Sequence, residues 1–364
     1  MKKLLLIAFS ISATACSPSK SQSALEGPEL LFTISNFQTS KLVALKDETV
    51  KEVASSLSSD PIILGSKQEV FLFNRQATNL NVNKIYTSGT QALYLSKQTS
   101  SSPLLPGDPT SAALMPNGSF LLAGYSSRGI FQFSPLNNKV TAVSLKFDTG
   151  EGPFRPYDIL IREVDKTTKI FILHHGLGLD FKANGTEMLF EAKLKEDGSI
   201  EPVDHDPSKD GNQGIKVNST SPMFLFTDAP SPIIAGLCDS LGTNPLCNLE
   251  RLEIGNSSIS PVLDLSQIKS SSSTAITEGL DGNSVLIIAQ ARTGGLELRK
   301  VSFTGTEAIL YSSPNENYQS FVKSDRVRNR IYLGATSSLI EFQGEVFLKS
   351  HSLDFNPYNG MVIP

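Results

Sequence analysis

The chain has 364 residues, of which 39% are hydrophobic and 19% charged, with a formal charge of −4 and no Trp. That is enough apolar sequence for a large core. The chain has no basic cluster of the kind that binds phosphates, so we expect no nucleic-acid partner. Short runs rich in Val, Ile, Phe, Leu and Tyr alternate with Gly, Pro and Asn turns, and no long apolar helix pattern follows the N-terminus. This pattern predicts an all-β protein.

Residues 1–15 have the features of a bacterial export signal. Lys2 and Lys3 precede an apolar stretch, Leu4 to Ile11, that is too short to span a bilayer stably. The small residues that follow, Ala13-Thr14-Ala15, lead into Cys16 and resemble a bacterial lipoprotein signal, although Ala13 stands where Leu is commoner. The alternative is an ordinary secretory leader cut near Ala15, which would leave a free thiol.

The lipoprotein resemblance implies a cellular location. It implies that the leader is removed before Cys16, that this residue carries palmitate-type acyl chains, and that three chains anchor the protein stably. Ser17, rather than Asp, follows the cysteine, which in such proteins implies the outer membrane, facing the periplasm or the cell surface. Residues 16–28 read as a flexible polar tether, and we assign residues 29–364 to one domain.

Residues 108–147 contain the clearest repeat. Four short apolar runs are each closed by turn residues, such as Pro116-Asn117-Gly118 and Pro135-Leu136-Asn137-Asn138. Four antiparallel strands in about 40 residues match one blade of a β-propeller. The same spacing divides the mature chain into seven units, with strands predicted near 29–54, 61–95, 109–143, 157–203, 223–263, 274–311 and 320–350.

The first unit has only three predicted strands, and one strand remains at the C-terminus, residues 357–363. Pairing of this strand with the first unit would close a seven-bladed ring and leave no exposed sheet edge. Stacked β-sandwiches are the alternative, but they explain neither the even spacing nor the leftover strand.

The third unit resembles the YVTN/YncE-like repeats of bacterial seven-bladed propellers. Pro109, the Pro116-Asn117-Gly118 turn, the apolar run Phe120 to Ala123 and the strand Ile130 to Ser134 carry the resemblance. The other six units match only loosely. The resemblance implies a fold and no particular activity, because propellers host enzymes, sensors and scaffolds.

Cys238 and Cys247 are the other two cysteines. Export implies an oxidising compartment, in which this pair would form a disulfide across a hairpin loop. A zinc site would need two further ligands, and a redox-active pair would usually be spaced as C-x-x-C.

The candidate binding residues are few. Arg155 and Asp158 lie at the start of a predicted inner strand, where a charge can face the central channel, or simply form a wetted wall. His174 and His175 end another strand, where we expect a polar strand end with the two rings on opposite faces. Three carboxylates, Asp204, Asp206 and Asp210, share a loop that could bind calcium, but the spacing departs from a calcium-loop pattern and a solvated loop is the simpler interpretation.

No sequence motif for a nucleophile, a phosphate loop or a metalloprotease is present. We therefore expect a monomeric, lipid-anchored propeller that acts as a binding or scaffold module for an envelope protein or a ligand. The alternative is a propeller enzyme of the lactonase or quinoprotein sort, with a metal or cofactor in the channel.

Overall fold

The structure, a computed structural model, places its regular secondary structure in short strands. It describes residues 27–36, 38–58, 61–65, 70–75, 80–86, 94–95, 100–102, 109–125, 127–137, 139–150, 153–176, 187–219, 221–236, 248–265, 273–290, 295–314 and 319–363. The strands of these residues form seven antiparallel sheets, which are the blades of a β-propeller. No α-helix occurs within the ranges given.

The strands are numbered in chain order. Blade 1 contains β1 (Leu30–Ser35), β2 (Ser40–Lys46), β3 (Thr49–Leu57) and the C-terminal β30 (Asn356–Val362). Blade 2 contains β4 (Ile62–Gly65), β5 (Val70–Arg75), β6 (Leu80–Tyr86), β7 (Tyr94–Leu95) and β8 (Ser100–Ser102). Blade 3 contains β9 (Pro109–Leu114), β10 (Phe120–Gly124), β11 (Gly129–Ser134) and β12 (Lys139–Val143).

The remaining blades follow the same plan. Blade 4 contains β13 (Pro156–Val164), β14 (Thr167–His174), β15 (Met188–Leu194), β16 (Ile200–Val203) and β17 (Ile215–Lys216). Blade 5 contains β18 (Met223–Leu225), β19 (Ile233–Ala235), β20 (Asn248–Glu253) and β21 (Ser258–Asp264). Blade 6 contains β22 (Ser273–Glu278), β23 (Ser284–Gln290), β24 (Leu296–Ser302) and β25 (Glu307–Ser313), and blade 7 contains β26 (Gln319–Asp325), β27 (Arg330–Ala335), β28 (Ser338–Gln343) and β29 (Val346–Ser352).

The apolar core consists of clusters between neighbouring blades. The second strand of a blade is buried on both faces, and its alternate side chains enter different clusters because successive residues of a strand point to opposite sides. In β23, Val285 and Ile287 pack towards blade 5, whereas Leu286 and Ile288 pack towards blade 7. This two-sided burial explains why these strands are continuous apolar runs in the sequence.

The ring closes through the C-terminal strand, as predicted. In blade 1 the strand order is β3-β2-β1-β30, so that β30 is the innermost strand and pairs antiparallel with β1. Phe32 lies opposite Gly360, and a Cβ atom on Gly360 would lie 3.0 Å from two ring atoms of Phe321 in blade 7. Both phenylalanines are buried, with their ring centroids 6.2 Å apart. The closing strand therefore also contributes to the junction between blades 7 and 1.

The all-β, seven-bladed architecture predicted from the repeat is confirmed. Two short strands were not predicted: β8 pairs with β6, and β17 pairs with β15. Each lies in the connection to the next blade and pairs antiparallel with the third strand of its own blade. Such short additions carry too few residues to show a period-2 pattern in the sequence.

Candidate functional site

The seven innermost strands surround a central channel with a volume of about 620 Å³. Its walls come from β30, β4, β9, β13, β18, β22 and β26. Among the described residues that line it, three are charged: Asp158, Glu278 and Lys323. The channel thus joins two carboxylates and one ammonium from three different blades.

Asp158 connects three blades. Its Oδ1 atom accepts hydrogen bonds from Ser111 Oγ of blade 3 at 2.6 Å and from the N–H of Ile159 at 2.8 Å, and its Oδ2 atom accepts one from the N–H of Phe224 of blade 5 at 2.8 Å. Burial raises the pKa of this carboxyl, although these three donors and the charge of Lys323 oppose the rise. The sequence-based choice of Asp158 as a channel residue is consistent with this placement.

Lys323 and Glu278 were not singled out by the sequence. Burial lowers the pKa of the Lys323 ammonium, and the charges of Asp158 and Glu278 oppose that change. Burial raises the pKa of Glu278, whose Oε1 atom accepts a hydrogen bond from the N–H of Phe226. Lys323 makes no hydrogen bond and no ion pair within 4.0 Å to another described residue. Thr277 and Gly279 flank Glu278, and Val322 and Ser324 flank Lys323, so the local sequence marks neither residue.

Tyr157 lies between the channel and a second polar group. A register irregularity in the pairing of β13 with β14 occurs at this residue, as β-bulges often do beside functional sites. Its carbonyl accepts a hydrogen bond from Thr110 Oγ1 at 2.7 Å, and its ring lies 5.3 Å from that of His175. Burial and the charge of Asp158 raise the pKa of its hydroxyl to about 12, so the phenol stays protonated at neutral pH.

The two adjacent histidines point to different surroundings, as expected for neighbouring strand residues. His174 stacks on Phe154, with ring centroids 5.9 Å apart, and its Nδ1 atom accepts the N–H of Arg155 at 3.0 Å. Burial and the nearby His175 lower the pKa of His174 to about 4. Both histidines are buried at this strand end, His174 at 1% and His175 at 5% exposure. Aromatic neighbours from separate segments cover them.

Arg155 is also buried, at 3% exposure, and does not line the channel. Its guanidinium lies over the ring of Tyr125, at 5.2 Å from the centroid. The Nε and Nη1 atoms have no hydrogen-bond partner within the part of the chain that the structure describes. The sequence placed Arg155 beside Asp158, but the structure separates them, with Arg155 in the group around His175.

Two residues of that group escaped sequence reasoning. Glu187 Oε1 lies 3.1 Å from His175 Nδ1, and Ser221 Oγ lies 3.2 Å from His175 Nε2. Glu187 Oε2 accepts the N–H of Gly176 at 2.8 Å. Glu187 and Ser221 belong to no motif, and only the common face of blades 4 and 5 brings them to His175.

The carboxylates of the 204–210 loop do not converge on one point. Asp204 Oδ1 accepts the N–H groups of Asp206 and Gln213, both at 3.0 Å. Asp206 forms an ion pair with Lys209 at 2.9 Å, and the carbonyl of Asp210 accepts a hydrogen bond from Gln213. In the described ranges no group of three or more His, Cys, Asp or Glu side chains is arranged to hold a metal ion.

The N-terminal and cysteine predictions lie outside the described residues. They concern the signal peptide, Cys16, the tether as far as residue 26, and the Cys238–Cys247 disulfide. Within the described part of the chain, no helix is long and apolar enough to cross a bilayer.

Comparisons with known proteins identify the fold alone. No protein-family model matches the chain, and no curated protein sequence matches it. Solved structures similar to it include a proposed 6-phosphogluconolactonase from Bacteroides fragilis, with a TM-score of 0.62 and 12% identity over 96% of this chain and 100% of that one. A periplasmic gluconolactonase from Pseudomonas aeruginosa gives a TM-score of 0.61 and 13% identity over 92% of this chain and 99% of that one.

A third similar structure is a functionally unknown protein from Desulfotomaculum acetoxidans, with a TM-score of 0.55 and 11% identity over 92% of this chain and 98% of that one. At such identities the shared feature is the propeller, and the activity has to be argued from the residues of this chain.

Proposed function

We propose that this protein is a lipid-anchored envelope propeller that binds a small, uncharged, hydroxyl-rich molecule in its central channel. The observation that carries the proposal is Lys323, whose half-buried ammonium lies in the channel without a hydrogen bond or ion pair to the described residues. A partly desolvated cation without an ion-pair partner is unfavourable, and a bound ligand would offset that cost.

The surrounding charges favour a particular ligand chemistry. Two carboxylates and one ammonium give the channel both hydrogen-bond acceptors and donors, with little net charge. Hydroxyl groups satisfy such a lining because they donate to Asp158 and Glu278 and accept from Lys323. The volume, about 620 Å³, lies in the range of small-molecule sites.

Calorimetric titration tests this binding. The mature protein is titrated with D-glucose, D-gluconate and glucono-1,5-lactone, the last two chosen because similar structures bear gluconolactonase names. We expect the uncharged compounds to bind and Lys323→Met to weaken them at least about 10-fold, since one charge-assisted hydrogen bond is lost. Lys349→Met, on the exposed outer strand of blade 7, is the matched control. Absence of heat with every compound, or equal affinity in Lys323→Met, would contradict the proposal.

The location in the cell envelope is proposed from the N-terminal sequence. Lys2, Lys3, the apolar stretch and Cys16 support export and acylation. We expect wild-type protein expressed in a bacterium to incorporate labelled palmitate and to fractionate with the outer membrane, where it would meet an envelope protein partner. Cys16→Ser should remove the label and release the protein, and an unchanged membrane pool would count against lipidation.

A channel enzyme is the second candidate. Raised pKa values of Asp158 and Glu278 beside a lowered pKa of Lys323 are typical of ionisable groups at functional sites. Glucono-1,5-lactone hydrolysis above the spontaneous rate, lost in Glu278→Gln, would favour this candidate over simple binding. Hydrolysis at the spontaneous rate would exclude it for that substrate.

A further inference from the structure

A hydrogen-bonded series of three side chains, Ser221, His175 and Glu187, lies outside the channel on one face of the propeller. Within a blade the strands alternate in direction, so the first and third strands begin, and the second ends, at the same face. His175 follows the end of β14, Glu187 precedes β15, and Ser221 precedes β18 of the next blade. We name these three residues the Ser221 cluster.

The polarity of the cluster is fixed by Glu187. An ionised carboxylate only accepts hydrogen bonds, so His175 donates its Nδ1–H to Glu187 Oε1 across 3.1 Å. In the neutral imidazole the Nε2 atom then lacks a proton and can accept the hydroxyl hydrogen of Ser221 across 3.2 Å. This order of acid, imidazole and hydroxyl is the arrangement that activates a serine nucleophile.

The surroundings hold the imidazole in place. The ring centroid of His175 lies 5.5 Å from that of Tyr125 and 5.3 Å from that of Tyr157. The backbone N–H of Gly176 donates a hydrogen bond to the second oxygen of Glu187, Oε2, at 2.8 Å. Ring and carboxylate are therefore fixed before any substrate arrives, as efficient general-base catalysis requires.

Ser221 adopts an unusual backbone conformation. Its φ is 49°, in the left-handed region that non-glycine residues seldom occupy. Serine nucleophiles commonly lie on strained turns that present the hydroxyl to substrate, and strain of this kind concentrates at functional sites. Ser221 is 7% exposed, which suits a small reagent.

Arg155 supplies an independent indication of a ligand. Its side chain is 3% exposed, and two of its guanidinium nitrogens lack partners within the described ranges. Arg155 borders the Ser221 cluster, because its carbonyl accepts the N–H of His175 at 2.9 Å and its guanidinium covers Tyr125. A buried, unpaired guanidinium is matched best by an anionic group that accepts two hydrogen bonds.

We propose that the Ser221 cluster is a hydrolytic site for a small ester that carries a carboxylate, with Ser221 as nucleophile, His175 as general base and Arg155 as the carboxylate-binding residue. Glu187 is a positioning residue that acts through His175. This activity goes beyond the binding of a ligand in the channel and does not depend on it.

The reaction balances without any cofactor. Ser221 Oγ forms a bond to the ester carbonyl carbon while its proton moves to His175 Nε2, and the carbonyl π pair moves to oxygen. When that pair returns, the bond to the alcohol oxygen breaks, and the alcohol takes the proton from His175. A water molecule then attacks the carbonyl carbon of the acyl-Ser221 ester and gives one proton to His175. The bond between that carbon and Ser221 Oγ breaks, the acid leaves, and His175 returns the proton to Ser221 Oγ.

Labelling with phenylmethylsulfonyl fluoride tests the nucleophile. The Ser221 Oγ–S bond forms, the S–F bond breaks, fluoride leaves and the proton passes to His175. We expect one label on the native protein, mapped to Ser221 by peptide mass spectrometry, and no label after unfolding in urea. The rate should fall at least about 100-fold in His175→Gln, because the general base is lost. It should fall about 10-fold in Glu187→Gln, with partial recovery in Glu187→Asp.

Ser219→Ala is the matched control, because Ser219 is buried two residues away and bonds to Asn248 and Glu250 instead of a histidine. Its labelling should equal that of the wild type. An unlabelled native wild type, a label elsewhere, or an undiminished rate in folded His175→Gln would overturn the proposal, whatever the channel binds.

The carboxylate preference is tested with two chromogenic esters, 4-nitrophenyl hydrogen succinate and the neutral 4-nitrophenyl acetate. Arg155→Met should raise the KM for the anionic ester at least about 10-fold more than it raises the KM for the neutral one, since it removes a charge-assisted contact. Equal effects on both esters would refute the role of Arg155.

Discussion

Asp158 accepts hydrogen bonds from blades 3, 4 and 5, and removing them tests its role in the channel most directly. If Asp158 is replaced by Ala, the hydroxyl of Ser111 and the N–H of Phe224 lose their acceptor, whereas the N–H of Ile159 keeps a longer hydrogen bond to Ser111 Oγ, at 3.4 Å. Leaving one such donor unsatisfied costs about 1–3 kcal/mol when it is fully buried. Water in the half-buried channel can solvate these donors in part, so we take about 1 kcal/mol for each. Asp158→Ala should therefore lower the free energy of unfolding by about 2 kcal/mol.

Two further variants divide this effect. Ser111→Ala removes one donor and should cost about 1 kcal/mol. Asp158→Asn keeps one acceptor oxygen but directs an N–H₂ group at a donor, so it should cost about 1–2 kcal/mol. In a double-mutant cycle, Ser111→Ala should cost much less in the Asp158→Ala background, with a coupling energy of about 1 kcal/mol.

Urea unfolding followed by far-ultraviolet circular dichroism is the appropriate assay, because the chain contains no Trp for fluorescence. If Asp158→Ala stays within about 0.5 kcal/mol of wild type, as a surface substitution would, the carboxylate does not hold blades 3, 4 and 5 together. Its contribution to the stability of the fold would then have to be discarded, and Asp158 would be solely a ligand group.

Three other predictions concern ring closure and acid stability. Gly360→Val should cost about 1–3 kcal/mol by overpacking against Phe321, whereas Gly255→Ala, with no atom within 4 Å of the added Cβ, should be nearly neutral in thermal unfolding. The pKa of His174 falls from 6.5 to about 4 on folding, so the unfolded chain binds the proton more tightly. The contribution of this residue to the free energy of unfolding should be full above pH 6.5 and decline by about 3 kcal/mol towards pH 4. His174→Gln should remove this pH dependence. Burial raises the pKa of Glu191, but the bonds from His205 and Ser257 and the charge of Lys169 outweigh it and bring the pKa from 4.5 to about 2. Its contribution, about 3 kcal/mol, should therefore be present above pH 4.5 and be lost as the pH falls to 2, and an unaltered acid limb in urea titrations of Glu191→Gln would disprove this.

The repeat and the closing strand could be predicted because each depends on local sequence. Turn residues mark the ends of strands, and a run that is buried on both faces, such as β10, has to be apolar throughout. The missing strand of the first unit and the spare strand at residues 357–363 needed only counting. Strands β8 and β17 were missed because two or three residues carry no period.

Charged channel residues could be predicted only in part, for a geometric reason. An inner strand presents one face to the next blade and one edge to the channel, so a polar residue on it has either a functional or a solvated role. Asp158 stood out because charges cluster around it in the sequence. Lys323 and Glu278 belong to no motif, and nothing local relates blades 6 and 7 to blade 4.

The Ser221 cluster shows most clearly which sites cannot be predicted from the sequence. His175 and Glu187 are separated by 12 residues, and Ser221 follows His175 by 46. These spacings correspond to no motif, since they are set by the connection between two strands of blade 4 and by the step to blade 5. The propeller brings ends of strands to one face whatever the lengths of the loops between them. A catalytic group can therefore be assembled from residues that have no sequence relationship, and unpaired buried atoms, such as Nε of Arg155, are a better guide to it than motifs are.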